Sequence, residues 1–130
     1  FLLYGSRRWG HVSDQFDTPY FRKACREMLE NTLLELREYR SNQERFEVIG
    51  IVGIDGSPSC GVDYTCCGGW GGNLSDRSDL KEVIADVRLV SGSGIMMQEL
   101  SAMLREQGID LPLTGLFADE PNKIMSLLEP

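Results

Sequence analysis

Residues 46–62, FEVIGIVGIDGSPSCGV, are the part of the chain on which the fold depends. Phe46 to Ile54 is a short apolar run rich in Val and Ile, interrupted only by Glu47, Gly50 and Gly53. Such a run reads as a strand buried on both faces, with glycine where a neighbouring element comes close. The polypeptide then turns through Asp55-Gly56-Ser57-Pro58-Ser59 and reaches Cys60. A core cysteine packs inside an element as a small hydrophobe. This one sits in a Ser-Pro-Ser turn at a strand's end, where ligands usually gather.

On the N-terminal side of that strand, DTPYFRKACREMLENTLLELREYRSN (17–42) predicts a helix. Asp17 or Thr18 can cap it, and Pro19 suits a first turn in which its missing donor is not needed. Phe21, Cys25, Met28, Leu29, Leu33, Leu36 and Tyr39 recur at three- and four-residue steps. Against this apolar stripe stands a charged face of Arg22, Lys23, Arg26, Glu27, Glu30 and Glu35. Cys25 therefore reads as a buried, inert thiol.

On the C-terminal side, residues 55–78 are dense in Gly, Ser, Pro, Asn and Asp and read as a long loop. A short element from Leu80 to Val90 follows, then a helix from about Gly94 to Gln107. Met96, Met97, Leu100, Met103 and Leu104 form its apolar face as core filler, and Gly108 stops it. Leu111 to Ala118 reads as a second buried strand with Pro112 near its start, and a last short helix begins at about Pro121. The order helix, strand, loop, helix, strand predicts an α/β domain: three layers, a mainly parallel sheet and helices on both faces, Rossmann-like and incomplete at its N-terminus. All 130 residues belong to that one domain.

Composition narrows the function. With 42% apolar and 25% charged residues, the chain is ordinary for a globular protein. A formal net charge of −7 without a run of Lys or Arg argues against a nucleic-acid polymer as partner. No stretch approaches the roughly 18 apolar residues of a membrane span, and no leader pattern opens the chain, so a cytoplasmic location is expected. The four cysteines, at 25, 60, 66 and 67, are too unevenly spaced for the framework of a small secreted protein and read as reduced thiols.

Several chemistries are open to Cys60, because a thiolate serves both as nucleophile and as metal ligand. A phosphatase-like loop needs Arg six residues after the cysteine, and Cys66 stands there. A Cys–His enzyme needs a base, for which His11 is the one histidine. Cys60, Cys66 and Cys67 form a C-x5-C-C cluster that could ligate zinc or iron. Gly68-Gly69-Trp70-Gly71-Gly72 could lay Trp70 over a flat substrate, or be a plain loop. Ser93 and Gly94, in SGSG before Ile95, offer donors for a substrate at a helix N-terminus. Arg7 and Arg8, in SRRW, could meet an anion.

GIVGIDGSPSCGVDYT (50–65) and GSGIMMQEL (92–100), preceded by DTPYFRKACREML (17–29), together resemble the bacterial and archaeal 2-thiouracil desulfidase family, in particular its branch of unknown substrate. The similarity runs from about Phe1 to Leu116, and SPSCG is its most specific part. It implies a [4Fe-4S] cluster on three cysteines with one iron open to the sulfur of a small thiolated substrate, whose thiocarbonyl becomes a carbonyl with release of sulfide. On this chain Cys60 would be one ligand with Gly61 beside it, and Ser57 and Ser59 would be catalytic neighbours that hydrogen-bond or handle protons. The family's other two ligands come from a Cys-Leu-Leu motif and a Cys-Pro-Glu motif that do not occur here. The resemblance therefore implies a piece truncated at its N-terminus, without a cluster and inactive as it stands. A non-catalytic small-molecule or metal-binding module, using Cys60 with Cys66 or Cys67, is the alternative. Loss of N-terminal strand material would also bare a sheet edge, from which a homodimer is expected.

Overall fold

A computed structural model describes residues 12–70 and 77–129. It is a mixed α/β structure whose elements run α1 (Ser13–Phe16), α2 (Pro19–Ser41), β1 (Ile51–Ile54), β2 (Tyr64–Cys67), α3 (Leu80–Ala85), β3 (Arg88–Ser91), α4 (Ile95–Glu106), β4 (Leu113–Leu116) and α5 (Asn122–Leu128).

Thr18, one of the two expected caps, accepts from the Phe21 N–H at 3.2 Å, and Pro19 takes the first helical position of α2. Phe21, Cys25, Leu29 and Leu33 form its buried stripe, while Met28 and Tyr39 lie half exposed at its margin. α4 packs along α2 and contributes Met97, Leu100, Met103 and Leu104 to a core that Ile109 and Leu111 extend. Phe16, Phe21, Cys25 and Ile95 form a second cluster, and Met96 packs against both. After α4 the backbone turns at Gly108, whose φ of +65° is a conformation that favours glycine.

The charged face of α2 is not simply solvated. Arg22 and Arg26 reach across to the buried Glu99 of α4, at 2.9 and 2.6 Å, and fasten the two helices side by side. Two cations close to one carboxylate outweigh the burial that would otherwise raise its pKa, and Glu99 stays below the usual range.

β1 and β4 form a parallel pair in the register Ile51↔Leu113 to Ile54↔Leu116. Pro112 lies just outside the ladder, where its lack of an N–H does no harm and its carbonyl accepts from the Ile51 N–H. Ile51 and Leu113 pack on the main core. The opposite face differs from the expected strand buried on both sides: Val52, Ile54 and Leu116 are each at least half exposed, because nothing among the described residues covers them. The strand is also shorter than the apolar run, with Phe46 and Ile49 outside it.

Two further departures concern the loop and the short element. The expected loop 55–78 contains β2, and the element expected over 80–90 divides into α3 and β3. β2 and β3 pair antiparallel, Tyr64↔Ser91 to Cys67↔Arg88. Of the two described strand pairs, only one is therefore parallel. No helix among the described residues is long and apolar enough to cross a membrane.

Candidate functional site

The turn after β1 is built from the backbone outward. The Ile54 N–H donates to the Cys60 carbonyl at 3.0 Å, Ser57 N–H to the Ile54 carbonyl, and Gly61 N–H to the Ser57 carbonyl, which folds the chain back on the strand it has just left. Gly53 makes this return feasible: a Cβ there would collide with the Cys60 carbonyl oxygen and crowd Val62 and Met97. The close approach expected at the strand's glycines is thus observed at Gly53.

Ser57 organises the turn's interior. Its Oγ accepts from the Cys60 N–H at 3.1 Å and the Ser59 N–H at 3.3 Å, and lies 3.0 Å from Cys60 Sγ. Ser59 Oγ has a lesser place, 3.4 Å from Ser57 Oγ. The Ser57 carbonyl is in turn held by Thr65 Oγ1 at 2.9 Å, which ties the turn to β2. Cys60 is half-buried and packs against the main core.

The N-terminus of α4 abuts this turn. Gly94 N–H donates to the Gly61 carbonyl, Ile95 N–H to Pro58 and Met97 N–H to Ser59. The Gly94 donor that the sequence offered to a ligand is therefore engaged with the turn, as is that of Ile95, and these carbonyls take the place of a side-chain cap. Gly94 has an ordinary φ of −67°, and what it supplies is space: a Cβ would run into the Ser59 carbonyl group.

Asp55 closes the arrangement. Its side chain is fully buried. Oδ1 accepts from the consecutive N–H groups of Val62, Asp63 and Tyr64 at 2.9, 2.9 and 3.3 Å, and Oδ2 from Lys123 Nζ on α5 at 2.7 Å. Burial alone would raise the Asp55 pKa, but the ammonium and the three amides outweigh it and hold the acid below the usual range. Lys123, bonded first to Asp55 and then to Asp63 at 2.8 Å, is held above its ordinary value.

The other thiols occupy different surroundings. Cys25 has no exposed surface, and burial pushes its thiol up to about 11, as befits an inert core residue. Cys66 and Cys67 lie on β2, where burial and then the neighbouring Cys67 raise the Cys66 thiol. Cys67 Sγ is 3.2 Å from Ser13 Oγ. Both atoms' residues line a cleft of about 220 Å³ with Thr65, Ser91, Ser93 and Gln98. Ser93 is thus beside Cys67 in this cleft, whereas Cys60 is not in its lining.

Among the described residues, no three His, Cys, Asp or Glu side chains gather closely enough to hold a metal ion. Cys60 thus brings one thiol to its turn, and the residues present do not complete a three-thiolate site. Trp70 is half-buried at the edge of the described segment; Gly71 and Gly72 of its glycine pair, and Arg7, Arg8 and His11, lie outside the described residues.

Asp55 and Lys123 were not singled out in the sequence. Asp-Gly after a strand is an ordinary turn signal, and nothing local to Lys123 points to a partner 68 positions away. No family model, curated protein or solved structure matches the chain.

Proposed function

We propose that this chain is one part of an iron–sulfur desulfidase that removes sulfur, as sulfide, from a thiolated nucleobase or a similar small molecule, with Cys60 as one thiolate ligand. The observation that carries this reading is the turn itself: a thiol at the carboxyl end of a parallel strand, with its Sγ and its own N–H both beside the Ser57 hydroxyl. A cluster held by three thiolates with one open iron supplies a Lewis acid for a thiocarbonyl sulfur. The net change exchanges sulfur for oxygen, thiocarbonyl and water giving carbonyl and hydrogen sulfide, with no net electron transfer.

Cys60 brings one thiol to the turn, so the reading requires two further thiolate ligands, which the described residues do not gather there, and without them no activity is expected. Within the turn, Ser57 orients Cys60, Ser59 is the freer hydroxyl for proton handling, and Gly61 keeps the backbone close. Ser93, Gly94 and Trp70 are the residues expected to meet a flat substrate; Ser93 lines the cleft beside Cys67, and Gly94 abuts the Cys60 turn. The same reading expects a three-layer, Rossmann-like sheet, in which helices would cover the face of Val52, Ile54 and Leu116 that is bare among the described residues.

A non-catalytic small-molecule or metal-binding α/β module is the second reading, and its small-molecule form is the one that fits described residues among which no three metal-ligating side chains converge. Anaerobic reconstitution separates the two, using the chain extended upstream to its natural start, its Cys60→Ala variant and the present chain. About four irons and four sulfides on the extended chain alone, lost in the variant, are expected for the desulfidase; no cluster on any of the three overturns it.

A further inference from the structure

We propose that Asp55 is the positioning residue of the Cys60 turn and that Lys123, on α5, is the latch that keeps it in place. The three amides gathered by Oδ1 belong to consecutive residues on the far side of the turn, seven to nine positions from Asp55. A carboxylate at the turn's entrance thus holds its exit, and Ser57 to Gly61 are closed between them. Gly56 N–H to the Tyr64 carbonyl, at 2.9 Å, closes the same gap from the backbone.

A carboxylate with no exposed surface is stable there only if its charge is matched. The amides satisfy one oxygen, and among the described residues the cation that reaches the other is Lys123. Lys123 is itself held between Asp55, Asp63 at 2.8 Å and Glu120 at 3.6 Å, over the rings of Tyr64 and Phe117. Tyr64 in turn donates through its hydroxyl to Glu120. The latch is therefore fixed from α5, from the segment after β4 and from the start of β2 together. Without the ammonium, the buried charge would pull toward water, the turn's exit would loosen, and the contact between Ser57 Oγ and Cys60 Sγ would open.

What the thiol is for rests on the function proposed above; the holding of the turn does not. The test uses the full chain without a cluster and measures alkylation of each cysteine by iodoacetamide at pH 8, resolved by peptide mass spectrometry. Cys67, outside the turn on β2, is the internal reference. In Lys123→Met and in Asp55→Asn, the rate at Cys60 relative to Cys67 should rise at least fivefold, and Lys123→Arg should keep the parent ratio.

An unchanged ratio alongside a lower melting temperature would mean that the ion pair only stabilises α5, and would overturn the proposal. So would a change that appears equally in Lys123→Arg. If one of the two disruptive variants does not fold, the other is read in the same way; if neither folds, the pair holds the domain and not the turn, which also overturns it. Failure of the iron and sulfide measurement would leave this result untouched.

Discussion

Two buried carboxylates, Glu99 and Asp55, hold the two halves of the molecule by different means. Glu99 joins helix to helix through the side chains of Arg22 and Arg26, beside a core of Leu29, Leu33, Leu100 and Leu104. Asp55 joins loop to strand mainly through backbone amides, beside glycines that let main chain meet main chain. The helical half depends on apolar volume, with its ion pairs at the margin. The turn half has little apolar volume and depends on hydrogen bonds and on missing Cβ atoms. Substitutions of different kinds should therefore hurt each half most.

The largest loss is expected in the helical half. Leu33 is 1% exposed, and Leu33→Ala removes packed methyl groups and leaves a cavity that two fastened helices cannot readily close. A loss of about 2–5 kcal/mol is expected, read as a lower denaturation midpoint at unchanged slope. A cost below about 1 kcal/mol would mean that α2 and α4 can slide together, and that the helical half is softer than its packing indicates.

In the turn half the corresponding damage comes from adding an atom. Gly94→Ala suits the backbone angle but drives a methyl group into the Ser59 carbonyl group and toward the Cys60 amide. Prying α4 off the turn should cost about 1–3 kcal/mol, the usual range for overpacking. It should also raise Cys60 alkylation, which Leu33→Ala should not do below its own melting temperature. Equal alkylation in the two variants would erase the distinction between the halves.

Glu99→Gln tests the ionic part of the helical half. Arg22 and Arg26 keep about a third of their side-chain surface in water, at 30% and 38%, and can rehydrate when their partner loses its charge. The cost is therefore nearer 1–2 kcal/mol than that of a fully buried pair broken in two. Its pH dependence has a definite sign. Glu99 has a folded pKa below the unfolded value of about 4.3, so its contribution is present above that value and is lost as pH falls through the folded one. The gap between parent and Glu99→Gln in denaturant melts should thus narrow below about pH 4. A constant gap down to pH 2 would show that the carboxylate's charge contributes nothing.

The helical half was also the more legible in sequence. Three- and four-residue recurrence marks α2 and α4 because each is long enough to repeat its period, and Pro19 and Gly108 punctuate them through backbone chemistry that acts locally. β2 is illegible for the opposite reason. Tyr64-Thr65-Cys66-Cys67 is too short to show alternation, lies among turn-forming residues, and owes its pairing to β3, which is distant in sequence. β3 is inseparable from α3 in the sequence on the same grounds. The strand β1 is legible in its apolar run, but its exposed face is not, since such a run says what a strand can bury and not what is there to cover it. The Cys60 turn was recognisable from its residue types, whereas Asp55 was not, because its partners are backbone groups and one remote lysine.

The smallest expected effect separates two serines that the sequence could only treat together. Ser57 Oγ accepts from two backbone N–H groups and meets the thiol, so Ser57→Ala leaves amides in a half-buried turn without their acceptor and should cost about 1 kcal/mol. Among the described residues Ser59 Oγ meets Ser57 Oγ alone, at 3.4 Å, and Ser59→Ala should shift stability by less than about 0.5 kcal/mol. That inequality decides how any later loss of activity is interpreted. A defect in Ser57→Ala would mix disordered geometry with lost chemistry, because the same oxygen shapes the turn and touches Cys60. A defect in Ser59→Ala, with the melting curve unmoved, would assign that hydroxyl to the chemistry itself. If Ser59→Ala instead proved the costlier of the two, the hydrogen bonds of Ser57 would not be what holds the turn, and the geometry around Cys60 would have to be maintained by the Asp55 carboxylate and the α4 contacts alone.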